Sequence, residues 1–241
     1  ITLKEYLDIE LSQGPKASPG EINYYYQNSS NLHNYFMIVF INLKKFQILC
    51  LPPFQIRIKN TLYRTSLVYI EKKNRIIIKP NMIKEIKKCN NKKFRFIYFT
   101  FFYDFSTKVG HVNVVIIDLF KKTLELFEPY GYINTTSTNN VNRVFPKIMK
   151  RLDLDDFKFI PPSNLSPRLG IQSKGDSYCG MCLTIIMMYL HLRILNPDIK
   201  QTKIVNHLLS YNSKKLKELI LRYARHVERT LKNNSKLVEK F

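Results

Sequence analysis

Two consecutive segments constrain this chain more than anything else in it, because both carry apolar side chains on both faces. Phe94–Phe105 holds seven aromatics (Phe94, Phe96, Tyr98, Phe99, Phe101, Phe102 and Tyr103) ahead of Asp104. His111–Ile117 places Val112, Val114 and Ile116 on one face, Val115 and Ile117 on the other. A strand with one wet face alternates apolar and polar residues; one that is apolar on both sides belongs in the middle of a sheet with both faces covered. Leu124–Phe127 reads as a third strand, joined to the second through Asp118-Leu-Phe-Lys121, with Asp suited to the first turn position.

The rest of the chain must supply the covering layers. Further strands are expected at Ser66–Ile70 and Arg75–Ile78, split by a turn at Lys72-Lys73-Asn74, and a short one at Phe157–Ile160. Tyr35–Cys50 is an apolar, β-branched and aromatic run that Pro52-Pro53 stops. Helices fit Asn81–Cys89, Asn140–Leu152 (despite Pro146), Cys179–Leu195, Ile199–Leu209 and Lys214–Lys232. Asn90–Lys93 and Pro161–Asp176 read as loops, the latter rich in Pro and Gly. Strands and helices mix without regular βα alternation, so the class is α+β. Residues 1–30 contain Gln13-Gly-Pro-Lys-Ala-Ser-Pro-Gly20 and read as an N-terminal extension, leaving 31–241 as the folded domain.

With 241 residues and 45% hydrophobic content, the chain can bury a sizeable core, which excludes a wholly disordered basic tail. The longest apolar runs, Tyr35–Leu43 and Leu183–Leu192, are too short to span a bilayer, so no membrane partner is expected. Four cysteines (Cys50, Cys89, Cys179, Cys182) are too few for a disulfide scaffold and point to a reducing compartment. Lys and Arg number 39 against 18 Asp and Glu, a net charge of +21. That excess fits phosphate binding, hence non-specific nucleic acid as a partner. It equally fits translation of an AT-rich genome, since Ile, Asn and Lys crowd a chain with only two alanines (Ala17, Ala224).

Glycine is scarce, at 7 residues, and five of them (Gly110, Gly131, Gly170, Gly175, Gly180) lie beside His111, just after Glu128, or around Cys179. Those three residue types are the parts of a nucleophilic site. Cys179 follows the polar loop Gln172-Ser-Lys-Gly-Asp-Ser-Tyr178 and opens an apolar helix, where the positive end of the dipole favours a thiolate. Its backbone N–H and the Gln172 amide, seven residues upstream, suit an oxyanion. A hairpin closed at the middle of Asp118–Lys121 would pair Ile117 with Lys122, Val115 with Leu124, Asn113 with Leu126 and His111 with Glu128. A carboxylate so placed fixes the imidazole tautomer and stabilises the imidazolium. Cys179-Gly-Met-Cys182 has CxxC spacing, but no second CxxC or HxxxH completes a four-ligand zinc site, so no metal is expected.

The segments His111-Val-Asn-Val-Val-Ile-Ile-Asp118, Leu126-Phe-Glu-Pro-Tyr-Gly131 and Gln172-Ser-Lys-Gly-Asp-Ser-Tyr-Cys179-Gly180 resemble the adenovirus-type maturation cysteine proteases. More loosely, they are similar to the ubiquitin-like-protein (SUMO) proteases. The likeness covers roughly Phe94–Leu195, and Glu in the second segment favours the adenovirus side. Val112 stands where these families usually carry Trp. The resemblance implies a papain-like or adenain-like fold, with a central mixed sheet packed against the helix that carries the nucleophile. It implies Cys179 as nucleophile, His111 as general base, Glu128 as orienter and Gln172 as oxyanion donor. It further implies cleavage after Gly in viral structural precursors, a virion and host-cytoplasm location, and no obligatory cofactor, with DNA or an activating peptide as accessory. Two alternatives stay open: deconjugation of ubiquitin-like modifiers, and a basic DNA-binding virion protein with a vestigial site. The cations of the C-terminal helix (Lys214, Lys215, Lys217, Arg222, Arg225, Arg229, Lys232) are where DNA would bind.

Overall fold

Aromatic and β-branched density builds the sheet, and the helices close over both of its faces. The computed structural model describes residues 47–50, 56–58, 61–63, 67–70, 73–79, 81–104, 110–132, 136–175 and 181–238. In chain order the strands are β1 (Leu49–Cys50), β2 (Ile56–Ile58), β3 (Thr61–Tyr63), β4 (Leu67–Ile70), β5 (Arg75–Ile78), β6 (Phe96–Asp104), β7 (Gly110–Asp118), β8 (Thr123–Phe127) and β9 (Lys158–Ile160). The helices are α1 (Met82–Asn91), α2 (Thr136–Arg151), α3 (Pro162–Leu165), α4 (Ile171–Gly175), α5 (Cys182–Leu195), α6 (Gln201–Ser210), α7 (Ser213–Asn233) and α8 (Ser235–Val238).

Seven strands form one mixed sheet in the order β5-β4-β6-β7-β8-β9, with β1 continuing the β4 edge of β6. β6, β7 and β8 are antiparallel neighbours at its centre, while β4 and β1 run parallel to β6 and β9 runs parallel to β8. The two-residue side-chain period then sorts the core. Phe96, Tyr98, Val114, Ile116 and Phe127 pack with α5, α6 and α7 on one face. Ile97, Phe99, Phe101, Val115, Ile117 and Leu126 pack with α1 and α2 on the other. Helix α5 is buried at every position from Thr184 to Ile194, which is why its sequence is apolar all round.

The expected α+β class and central mixed sheet hold, and the structure corrects several local readings. The β7–β8 register is two residues away from the expected one: Val115 faces Leu126, Ile117 faces Leu124 and Asp118 faces Thr123. The Asp118 carboxylate accepts from the Phe120 and Lys121 N–H groups, at 3.1 Å each, which holds open a four-residue turn instead of a tighter one. Lys122 absorbs the left-handed step at φ 49. Because the shift is even, every side chain keeps its face. The loop expected at Pro161–Asp176 contains α3, with Pro162 at its start, and α4. The β2–β3 hairpin had no counterpart in the sequence reading, its strands being only three residues long.

Cys50 and Cys89 form a disulfide that ties β1 to α1 inside the second core, a single bridge that the cysteine count did not anticipate. No helix among the described residues is long and apolar enough to cross a membrane. The N-terminal extension, the run at 35–46 and Cys179 lie outside the described residues.

Candidate active site

His111 stands one residue into β7 and is buried. Glu128 follows the last residue of β8, where the chain leaves the ladder beyond the Val114–Phe127 pair. From there the carboxylate reaches back diagonally, and its Oε1 lies 2.7 Å from His111 Nε2. The contact expected from the sequence is therefore made, although not as a direct cross-strand pair. The Tyr130 backbone N–H donates to the same Oε1 at 2.9 Å, fixing the carboxylate from its other side.

With Nε2 engaged by Glu128, Nδ1 is the ring atom left for a second partner. The sulfur of Cys182, the first residue of α5, lies near enough to favour the charged form of the ring. Burial works against a charged ring here, yet the Glu128 carboxylate and the Cys182 sulfur outweigh it and push the His111 pKa up to about 10. A ring so raised favours its imidazolium form at neutral pH, with Glu128 as the carboxylate that balances it.

Backbone contacts bring in the Gln172 segment. Gly170 N–H donates to Tyr130 O at 2.7 Å, Gln172 N–H to Pro129 O at 2.8 Å, and Tyr132 N–H to Pro167 O at 2.8 Å. The Ser173 hydroxyl donates to Tyr130 O at 2.8 Å. The two loops touch through glycine: a Cβ on Gly131 (φ +94) would collide with the Gly170 backbone, and one on Gly170 would sit 2.6 Å from Pro129 O. Two of the gathered glycines thus serve the close approach that scarcity suggested. Gly175 has a packing reason instead, facing Leu216 of α7.

The structure joins His111 to Glu128 and fastens the buried Gln172 to the loop that carries Glu128. Cys179, three residues before Cys182, falls outside the described residues. Two contributors carried no role in the sequence reading. Cys182 entered only as the second half of CxxC. Tyr130 packs its ring against the imidazole, with centroids 4.9 Å apart and 39° between planes. Among the described residues, no three His, Cys, Asp or Glu side chains converge as metal ligands.

No protein-family model matches the sequence, and no curated protein matches it either. Among solved structures, the chain is similar to ChlaDub1 from Chlamydia trachomatis. That similarity has 13% identity and a TM-score of 0.48, over 90% of this chain and 95% of that one. A second structure, of the Chlamydia trachomatis effector protein ChlaDUB1, aligns at 13% identity and a TM-score of 0.40, covering 86% and 73%. The SUMO protease Ulp1, with its catalytic cysteine oxidised to a sulfenic acid, aligns at 15% identity and a TM-score of 0.34, covering 61% and 59%.

Proposed function

We propose that the chain is a cysteine endopeptidase, and one observation carries the reading. A buried imidazole is hydrogen-bonded through Nε2 to Glu128 at 2.7 Å, with the sulfur of Cys182 at the start of α5 near enough to favour its charged form. In the proposed reaction the thiolate attacks the scissile carbonyl. Collapse of the tetrahedral oxyanion expels the amine, which leaves with the proton of the His111 imidazolium. The neutral ring then takes a proton from water as that water hydrolyses the thioester, restoring acid product and thiol. Glu128 keeps the ring oriented and charged, and the Gln172 amide serves the oxyanion.

Cys179 is the nucleophile in this reading, from its place after the Gln172 loop and from the resemblance to adenovirus-type proteases. A second reading makes Cys182 the nucleophile, favoured by the influence of its sulfur on the His111 ring. Labelling by a thiol-directed activity probe, compared among wild type, Cys179→Ala and Cys182→Ala, separates them. Loss of labelling and cleavage in Cys179→Ala alone supports the first reading, and loss in Cys182→Ala alone supports the second. Full cleavage in both variants ends the protease proposal.

The substrate is a protein cut after Gly, in viral structural precursors, with conjugates of ubiquitin-like modifiers as the alternative. Running both substrate panels decides between them. Assays with and without DNA test the accessory role, for which the exposed Lys214, Lys215, Arg229 and Lys232 of α7 are the reason. Salt-dependent DNA binding without cleavage would mark the vestigial-site alternative.

A further inference from the structure

We propose that Tyr130 is the positioning residue of this site, its ring holding the His111 imidazole against Glu128 while its peptide groups fix Glu128 and the Gln172 segment. This rests on the protease reading for its kinetic consequence but not for its geometry.

Three groups of this one residue, its N–H, its carbonyl and its ring, each make contacts in the site. The Tyr130 N–H donates to Glu128 Oε1, the same oxygen that accepts from His111 Nε2. The Tyr130 carbonyl accepts from Gly170 N–H and from the Ser173 hydroxyl, on either side of Gln172. The ring lies against the imidazole at 4.9 Å between centroids. The peptide contacts would survive any side-chain substitution, so the ring's share of the work can be isolated.

What the ring does follows from what else faces His111. Among the described residues, Glu128 and Cys182 are the titratable groups that act on its charge, from the end of β8 and the start of α5. A single hydrogen bond to Glu128 leaves the imidazole free to tilt about that bond. The Nε2···Oε1 bond is the short polar tether on the ring, and an aromatic face against the ring keeps water from competing for it. The same face attracts an imidazolium through the ring quadrupole. Tyr130 therefore acts in the steps where His111 donates and accepts protons, which places its effect in kcat and leaves KM unaltered.

The test uses substitutions at Tyr130 in the full chain. Tyr130→Phe keeps the ring and should stay within about twofold of wild type in kcat, whereas Tyr130→Leu should lose roughly tenfold with KM unchanged. The chain contains no Trp, so Tyr130→Trp places a single indole against His111. A protonated imidazole in contact quenches that fluorescence. Adding His111→Gln to the Trp variant should therefore raise emission at pH 7 while the melting temperature confirms folding. Emission unmoved by His111→Gln would overturn the proposed contact. Wild-type kcat in Tyr130→Leu, or Tyr130→Phe as impaired as Tyr130→Leu, would overturn the positioning role. Should wild type cleave nothing, the protease reading fails, and the fluorescence pair still decides whether Tyr130 holds His111.

Discussion

Glu125 and Glu128 stand three residues apart at the end of one strand, and the chain uses them in opposite ways. Glu125 is fully buried and surrounded by donors: Arg193 at 2.9 and 3.2 Å, Gln201 at 2.7 Å and the Tyr189 hydroxyl at 3.5 Å. Arg193 also lies 3.6 Å from Asp118, so one guanidinium on α5 ties the end of β7 and the middle of β8 together. Glu128 sits at the rim, its side chain 15% exposed, with a histidine for its partner. An arginine keeps its charge at any pH a protein survives, whereas a histidine can give its proton away. The first carboxylate can only hold the fold together; the second can take part in chemistry.

The sharpest way to break this contrast is to remove the two cationic partners in turn. His111→Ala should act mainly on turnover, lowering it by about 10³-fold or more, the scale of losing a general acid–base with its oriented partner, and less on stability, where it removes only the proton-linked share that the pair with Glu128 adds. Arg193→Ala should do the reverse. It leaves Glu125 buried without its cation, and Asp118 with Arg95 alone at 3.5 Å, at a cost of about 3–5 kcal/mol in urea unfolding, enough to threaten folding outright. If the His111 variant proved the unstable one, the division of labour would be wrong.

The same contrast can be sharpened on the carboxylates. Glu128→Gln keeps the size of the side chain and removes the charge that holds the imidazolium; kcat should fall on the order of 10²-fold or more. Glu125→Gln should leave kcat per folded molecule unchanged and cost about 2–4 kcal/mol of stability, through an arginine left short of its anion. Gly170→Ala falls between the two sites in kind. Its Cβ would press on Pro129 O and the Gly131 backbone, displacing the loop of Glu128 together with that of Gln172. A loss of about 1–3 kcal/mol in stability accompanied by reduced kcat is expected.

These two carboxylates also show what the sequence could and could not reveal. The Glu128–His111 contact was legible because both residues flank a hairpin whose turn residues are recognisable, and an even register error preserves the face. The precise register was not legible, since it depends on the Asp118 side chain capping a longer turn. The Glu125–Arg193 bridge was invisible: its partners lie 68 residues apart, and nothing in the local pattern of an apolar strand says which helix will cover it. Helix α5 was readable as buried because it is apolar all round, but Arg193 within it gave no sign of its partner. Short elements such as α3, α4 and the β2–β3 hairpin escaped because three to five residues carry no periodicity. The disulfide escaped because Cys50 and Cys89 meet only after α1 has packed on the sheet.

A further expected effect concerns pH, and its sign follows from the two partners. His111 titrates near 6.5 when unfolded and at about 10 in the folded protein. A raised folded pKa means that the native state binds the proton more tightly, so its stabilising contribution is complete below pH 6.5 and is lost as pH rises through 10. Urea midpoints measured at pH 6, 8 and 9.5 should therefore decline across the series in wild type. Lysines and tyrosines titrate near the upper end of this window, so the informative quantity is the difference from a variant. His111→Gln should decline less steeply, because the titrating group is gone. Arg193 keeps its proton throughout, so the cluster around it adds no slope of its own, and Glu125→Gln should run parallel to wild type at a lower level. Parallel lines for His111→Gln and wild type would mean that the ring is not held charged by Glu128, and the proposed acid–base role would lose its electrostatic basis.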